Sequence, residues 1–319
     1  MMAPLSAHLE AAVAQTEAAE SEPLARAEAL VAIAWNLLQR PRNVQDLHDA
    51  HALYARAETW AEASPLARAR AAAGRGVVLR RLPGEGLENL VAARDTFETA
   101  LEALRAEGDP DEVAEIEMNH GLVLHTLANA GAAPIAQAIA AYQRALRTFK
   151  ATTHPREYAT LHNNLATAYL SMRMAADREG LREALAVQSF QEALKVVTRE
   201  NDPVEYAMLQ NNLGNALQAV NSAHRFENLL RAVEAYDEAL AVRARRTMPV
   251  EYANTLANKA NALMNLPDDP ERPEAGNPRR LAEAVALLAE AGDVFLEHGL
   301  DERAAIVVEL ARDLRRELT

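Results

Sequence analysis

The sequence predicts an all-α protein built from a repeated pair of helices, and three observations support this prediction. Half of the 319 residues are hydrophobic, while only 4% are aromatic and only 12 are glycine, a composition typical of helical proteins. A proline-led segment returns at intervals of 42 to 48 residues. Behind each copy, an alanine and a larger apolar residue recur with helical spacing.

The proline-led segment starts the first helix of each repeat. The clearest copies are HPREYATLHNNLATA from His154, DPVEYAMLQNNLGNA from Asp202 and MPVEYANTLANKANA from Met248. Proline is favoured in the first helical turn because its missing N–H group needs no partner there, and Asp202 with Glu205 forms a typical N-terminal cap. Helices are therefore predicted to start near Pro23, Pro65, Pro110, Pro155, Pro203 and Pro249.

The second helix of each repeat carries a small residue beside a large one on a single face. Offsets of four and three residues place an alanine, an aromatic or leucine residue and a second alanine on one side of a helix, as close packing against a neighbouring helix requires. The pairs that begin this pattern are Ala50 and Tyr54, Ala93 and Phe97, Ala138 and Tyr142, Ala186 and Phe190, Ala232 and Tyr236, and Ala284 and Leu288. Each repeat is thus predicted to be a helical hairpin.

Together, LATAY at Leu165 to Tyr169, LGNAL at Leu213 to Leu217 and the pattern of the second helix resemble the tetratricopeptide repeat. The usual period of that family is 34 residues, whereas this period is about 45, like the elongated repeats of bacterial signalling proteins and kinesin-light-chain-like adaptors. The resemblance implies a single α-solenoid, a right-handed superhelix of six hairpins over residues 1–319. We expect an added helix at residues 4–20, a capping helix at 301–318, and longer second helices that take up the extra residues.

In this family the first helices line the concave face of the solenoid, so the resemblance also implies which residues face the groove. In the C-terminal half, these positions form a row of side-chain amides and hydroxyls, which offer both donors and acceptors to the main chain of a bound peptide. The predicted peptide-binding residues are Asn163, Thr167, Asn211, Asn215, Gln218, Asn254, Asn261 and Asn265. The neighbouring asparagines Asn119, Asn164, Asn212 and Asn258 are expected to bridge adjacent helices instead.

Three arginines occupy groove positions of the second repeat. Arg70, Arg80 and Arg81 either form a clamp for a carboxylate or another anion, since guanidinium groups bind carboxylates bidentately, or pair with the protein's own acids. The acids considered for such pairing are Glu28 and Glu115 on the neighbouring first helices. The sequence leaves both alternatives open.

Charge and missing motifs exclude several classes of function. A net charge of -13 disfavours nucleic acid and anionic membranes. The chain has no cysteine, and its first twenty residues lack the basic region of a secretory signal, so we expect a cytoplasmic protein with no membrane segment. Because HExxH, GxxxxGK and GxSxG motifs are all missing, no catalytic residue, metal or cofactor is predicted.

The leading hypothesis is a non-enzymatic scaffold or adaptor that binds a peptide segment or helix of another protein in the groove. One alternative is a regulatory module that senses a ligand or peptide through the arginine-lined anion site. Another is a self-assembling structural module, a homodimer whose mass would fall on removal of residues 301–319.

Overall fold

The computed structural model describes residues 5–20, 22–173, 179–220 and 224–318, and the regular structure in these ranges is helical. The helices of residues 1–150 are α1 (Ala7–Ala19), α2 (Pro23–Gln39), α3 (Val44–Trp60), α4 (Pro65–Arg81), α5 (Glu88–Glu107), α6 (Pro110–Asn129) and α7 (Ile135–Ala145). Those of residues 151–319 are α8 (Pro155–Ser171), α9 (Glu179–Leu194), α10 (Pro203–Ala219), α11 (Arg225–Leu240), α12 (Pro249–Met264), α13 (Pro278–Glu297) and α14 (Asp301–Glu317).

The first helix of every repeat begins at its repeat proline, and in three repeats the side chain just before the proline caps the helix. The Asp202 carboxylate accepts a hydrogen bond from the main-chain N–H of Glu205 at 3.1 Å. The Ser64 hydroxyl does the same for the main-chain N–H of Ala67 at 3.3 Å. These bonds satisfy N–H groups that have no partner within the helix.

The chain forms two compact units, residues 1–150 and 151–319, which we call the N-terminal and C-terminal units. In the N-terminal unit the hairpins are α2 with α3, α4 with α5, and α6 with α7. In the C-terminal unit they are α8 with α9, α10 with α11, and α12 with α13, and α14 packs on α13. Within each unit successive hairpins stack side by side, which is the packing of an α-solenoid.

The large residues of the second helices fill the core, as predicted. Tyr54, Phe97, Tyr142, Phe190, Tyr236 and Leu288 are all at most 1% exposed. Burial of one such side chain stabilises the fold by roughly 1.5–3 kcal/mol. Glycine in the facing first helix makes room for the ring, since a Cβ atom on Gly214 would lie only 2.5 Å from a ring carbon of Tyr236.

The terminal helices close the two units. Val13 of α1 is buried, and the Glu17 carboxylate of that helix accepts a hydrogen bond from Trp60 Nε1 at 2.8 Å. At the other end, Val307 and Leu314 of α14 are buried in a cluster that includes Phe295. The helices expected at the two ends are therefore present.

The extra length of the repeats is not all in the second helices. The connections that follow α9 and α11, residues 195–202 and 241–248, consist largely of turns. Asn201 stabilises the first of them, because its amide donates to Val196 O at 2.8 Å and accepts from the N–H of Thr198 at 2.8 Å. Asparagine is favoured in such turns since its side chain replaces a main-chain partner.

None of the described helices combines the length and the hydrophobicity that a membrane span requires.

Candidate functional site

Four of the predicted groove residues come together in the C-terminal unit. Side chains of α10, α11 and α12 line an open pocket of about 360 Å³, which we call the amide pocket. Its lining consists of Asn215, Gln218, Ala219, Arg225, Leu229, Asn258, Asn261 and Asn265. Four residues that the family resemblance assigned to the groove, two on α10 and two at the end of α12, thus share a single concavity.

The hydroxyl of Tyr236 orients the amides at the bottom of this pocket. It donates to Asn215 Oδ1 at 2.8 Å and accepts from Gln218 Nε2. Gln218 Nε2 also donates to the main-chain oxygen of Asn258 at 3.2 Å. Tyr236 is fully buried, and burial raises the pKa of its hydroxyl, so the group stays neutral and able to donate. These bonds link α10, α11 and α12 through a single polar cluster.

The rim of the pocket is polar and solvent-accessible. Asn261 Nδ2 donates to Gln218 Oε1 at 3.2 Å, and Arg225 Nη2 donates to Asn265 Oδ1 at 3.2 Å. Asn215, Asn261 and Asn265 are all exposed. Because each amide has two N–H donors and two acceptor lone pairs, these few internal bonds leave capacity for a ligand.

Asn211 has a different environment from the rest of the predicted set. It is only 8% exposed, and its Oδ1 accepts from Asn258 Nδ2 at 3.2 Å. This bond joins α10 to α12, which is the bridging role expected for Asn258. Asn119 instead donates to Glu115 O of its own helix at 3.0 Å, and the Nδ2 group of Asn164 is buried without a partner among the described residues.

Asn163, Thr167 and Asn254 do not line the amide pocket. The Thr167 hydroxyl donates to the main-chain oxygen of Asn164 at 3.0 Å, within its own helix. Asn163 Oδ1 is buried and has no partner among the described residues. Asn254 is half-buried on α12.

The three arginines of α4 do not converge on one point. Arg70 forms a bidentate pair with Glu112, with Nε–Oε1 at 2.8 Å and Nη2–Oε2 at 3.1 Å. Arg70 therefore pairs with an acid of the protein itself, which was one of the two alternatives. That acid is Glu112 and not Glu28 or Glu115. Arg80 lies ten residues further along the helix, a rise of about 15 Å. Arg81 donates from Nη1 to the main-chain oxygen of Leu38 at 2.9 Å.

Sequence reasoning missed an apolar pocket on α2 and α4. Val31 and Trp35 line this cavity of about 290 Å³, with Glu28 and Arg70 beside it. Trp35 is 46% exposed, which is unusual for so large an apolar side chain. The family resemblance also places Trp35 at a groove position. A large apolar side chain at such a position was the signal from which this pocket could have been predicted.

Sequence reasoning also missed a tyrosine contact that recurs in the C-terminal unit. The tyrosine three residues after each repeat proline donates to a glutamate on the second helix of the same repeat. The pairs are Tyr158 with Glu192 at 2.7 Å, Tyr206 with Glu238 at 2.9 Å, and Tyr252 with Glu290 at 2.9 Å. The repeated EYA triplet was the signal for this contact.

Among the described residues, no group of three or more His, Asp or Glu side chains could hold a metal ion.

Comparisons with known proteins found similarity to solved structures alone. No protein-family model matches it, and no curated protein matches it. The crystal structure of BtubC (BKLC) from P. vanneervenii aligns over 92% of both chains with 16% identity and a TM-score of 0.45. The TPR2AB domain of yeast Sti1, in complex with pHSP90, aligns over 91% of this chain and 98% of its own, with 17% identity and a TM-score of 0.30.

The crystal structure of a Rap protein complexed with Competence and Sporulation Factor aligns over 93% of this chain and 99% of its own, with 14% identity and a TM-score of 0.34. Similarities this low carry no functional conclusion. The repeat type follows from features of the chain itself, namely the six proline-led first helices and the buried aromatic residues of the second helices. The chain is thus a repeat protein of tetratricopeptide-like helical hairpins.

Proposed function

We propose that this protein is a non-enzymatic scaffold that binds a peptide segment of a partner protein through its amide pocket. The observation that carries the proposal is the cluster of Asn215, Gln218, Asn261 and Asn265 around one open concavity. Amides do not titrate near neutral pH and are poor catalysts, but they match the donors and acceptors of a peptide main chain. A peptide can therefore be held without much selection among its side chains.

The number of amides limits the affinity that they can supply. Four hydrogen bonds, one for each amide of the cluster, at a net 0.5–1.5 kcal/mol each stabilise a complex by at most about 6 kcal/mol, whereas micromolar binding needs roughly 8 kcal/mol. The partner must therefore add apolar or charged contacts. The exposed Arg225 at the rim and the buried Leu229 in the lining are the residues available for such contacts.

The same proposal includes the wider setting of the protein. The partner is a protein and not a nucleic acid, because the net charge of -13 opposes binding of a phosphate backbone. We also propose a cytoplasmic location.

The test is selection of binding peptides from a phage-displayed library, followed by fluorescence anisotropy with one synthetic peptide. The double variant Asn261→Ala/Asn265→Ala is compared with the wild type. Two lost hydrogen bonds of 0.5–1.5 kcal/mol each should weaken binding about 5- to 150-fold. N-methylation of the peptide main chain should weaken binding to the wild type by a similar factor.

A matched control is Gln188→Ala/Gln191→Ala, which removes two exposed amides from the second helix α9 of the same unit. This variant should bind the peptide like the wild type. Equal affinity for the wild type and for Asn261→Ala/Asn265→Ala, with both proteins folded by circular dichroism, would refute the proposal.

A further inference from the structure

We propose that a proline-rich loop beside the amide pocket forms a subsite for one aliphatic side chain of the bound peptide, of about the size of leucine. The loop comprises residues 265–277, which connect α12 to α13. This inference rests on the peptide-binding proposal, since the subsite adds an apolar anchor to the main-chain contacts of the amide pocket.

The loop is an insertion in the sixth repeat. It is much longer than the connections between the paired helices of the N-terminal unit, which are residues 40–43, 82–87 and 130–134. It contains Pro267, Pro270 and Pro273, which restrict the conformations of the unfolded chain and so lower the cost of ordering the segment. A site that this loop forms is particular to this repeat and does not follow from the repeat pattern.

Hydrogen bonds fix the loop against the helices on either side of it. Asn277 Nδ2 donates to the main-chain oxygen of Met264 at 2.8 Å, which ties the end of the loop to the end of α12. The main-chain N–H of Asp268 donates to Gly276 O at 3.0 Å, and its carboxylate accepts from the main-chain N–H of Arg279 at 2.9 Å. Gly276 has a φ of 79°, which glycine adopts without strain. The loop is therefore a built wall beside α12.

This wall and the neighbouring helix ends line an open cavity of about 220 Å³. Its apolar surfaces come from Phe226 in the first turn of α11, from Met264 in the last turn of α12, and from Pro267 and Pro273 of the loop. Pockets for whole small molecules measure about 300–1,000 Å³, so this smaller cavity suits a single side chain. Methionine is flexible and adapts its shape to an apolar neighbour.

The cavity is continuous with the amide pocket. Asn265 lines both of them, and the adjacent residues Arg225 and Phe226 line one each. An extended peptide advances about 3.3 Å per residue, and its successive side chains point to opposite faces. A peptide whose main chain contacts the amides can therefore place one side chain in the cavity.

The chemistry of the cavity selects an aliphatic side chain. Burial of a leucine-sized side chain strengthens binding by roughly 10- to 150-fold, which is the contribution that four amide hydrogen bonds lack for micromolar affinity. A charged side chain would lose its hydration against Phe226 and the two prolines, and burial of a charge without a partner is costly.

The test uses the full chain and a fluorescein-labelled peptide from the phage-displayed selection, with fluorescence anisotropy as the readout. Alanine replaces each residue of the peptide in turn. One aliphatic position should weaken binding about tenfold or more on replacement. Exchange of that residue with its neighbour moves the side chain to the opposite face of an extended peptide, and should weaken binding by a similar factor.

Two substitutions in the subsite should remove this preference for the aliphatic residue. Phe226→Ala and Pro273→Ser each take away part of the wall, so the original peptide and its alanine variant should then bind with similar affinity. Pro273 is exposed, so its variant remains informative if Phe226→Ala does not fold. The matched control is Pro270→Ser, which removes an exposed proline of the same loop that does not line the cavity. It should keep the full preference.

Asn261→Ala separates the subsite from the amide pocket, because Asn261 lines the amide pocket and not the subsite. This variant should bind both peptides about 2- to 12-fold more weakly and keep the preference between them. Weaker binding by Asn261→Ala, together with a peptide scan that shows no aliphatic position or with a preference that persists in both subsite variants, would overturn the subsite and leave the peptide-binding proposal intact. Equal affinity of the wild type and Asn261→Ala would overturn both.

Discussion

At the scale of single residues, glycine in the first helices determines how closely each hairpin can pack. A Cβ atom on Gly214 would lie 2.5 Å from the Tyr236 ring. Alanine usually stabilises a helix interior by about 1 kcal/mol relative to glycine, but we predict that Gly214→Ala destabilises the protein by about 1–3 kcal/mol through this clash. Urea denaturation measures the change. A double-mutant cycle with Tyr236→Leu should recover part of the loss, and additive effects would contradict the explanation.

Arg243 is a buried cation for which a substitution should increase stability. It is 6% exposed and donates from Nη1 to Thr255 Oγ1 at 2.7 Å, and its Nε has no partner among the described residues. The equivalent residue of the fourth repeat is the buried Val197. Replacement of a buried charged group by an apolar one is often stabilising by 1–4 kcal/mol. We therefore expect Arg243→Val to raise the urea midpoint, and a lower midpoint would show that the guanidinium is needed.

His120 makes the stability of the N-terminal unit depend on pH. Burial lowers its pKa from 6.5 to about 4, with Glu98, Glu117, Arg94, Arg105 and Arg144 as the charged groups around it. The unfolded chain binds this proton first, so stability present above pH 6.5 is lost as the pH falls toward 4. The loss is up to about 3 kcal/mol. His120→Gln should flatten the pH profile of unfolding between these values, and an unchanged slope would exclude His120 as its source.

At the scale of helices, the tyrosine contacts connect the first turn of one helix to its partner. Burial, and then the bond to Glu192, raises the pKa of Tyr158 to about 12, so the hydroxyl remains a donor. We predict that Tyr206→Phe costs about 1 kcal/mol in unfolding free energy, because Glu238 and Gln210 both lose their bond to the tyrosine hydroxyl. Val204→Ala, which truncates an exposed side chain of the same helix, is the control and should change stability by less than about 0.5 kcal/mol. Equal effects of the two substitutions would argue against the contact.

The sequence was a good guide to these elements because local signals determine them. Proline marks the first turn of each first helix, with a capping side chain before it in three of them, and alanine next to an aromatic or leucine residue marks the buried face of each second helix. The Tyr206–Glu238 bond was not predictable in this way, since it depends on the rotation of one helix against another. Part of the extra length lies in turns after the second helices, such as the turn that Asn201 stabilises, and the expectation of longer second helices did not include these turns.

At the scale of the whole molecule, each unit has hydrophobic clusters of its own. In the C-terminal unit one cluster contains Phe190 and Tyr236, and another contains Phe295 and Leu314. We therefore predict that residues 151–319 expressed alone fold cooperatively, with a helical circular dichroism spectrum. A fragment that ends before α14 should melt at a lower temperature, because Val307 and Leu314 no longer cover their neighbours. An unfolded 151–319 fragment would contradict independent folding.

The candidate sites were only partly predictable from the sequence. The resemblance to the tetratricopeptide repeat placed Asn215, Gln218 and Asn261 on the same surface, and residues at equal positions in successive first helices do lie side by side. It did not show that Asn211 is buried or that Arg70 is already paired with Glu112. Those outcomes depend on side-chain rotamers and on partners about one repeat away in the sequence, which periodicity does not specify.

The most direct test of the central claim is to follow the side-chain NH₂ signals of asparagine and glutamine by NMR during titration with a selected peptide. Single substitutions assign the signals in the full chain. We predict that the signals of Asn215, Gln218, Asn261 and Asn265 shift in a saturable way, while those of Gln188 and Gln191 stay in place. Saturable binding with unmoved signals from the amide pocket would contradict the account and place the peptide elsewhere on the protein.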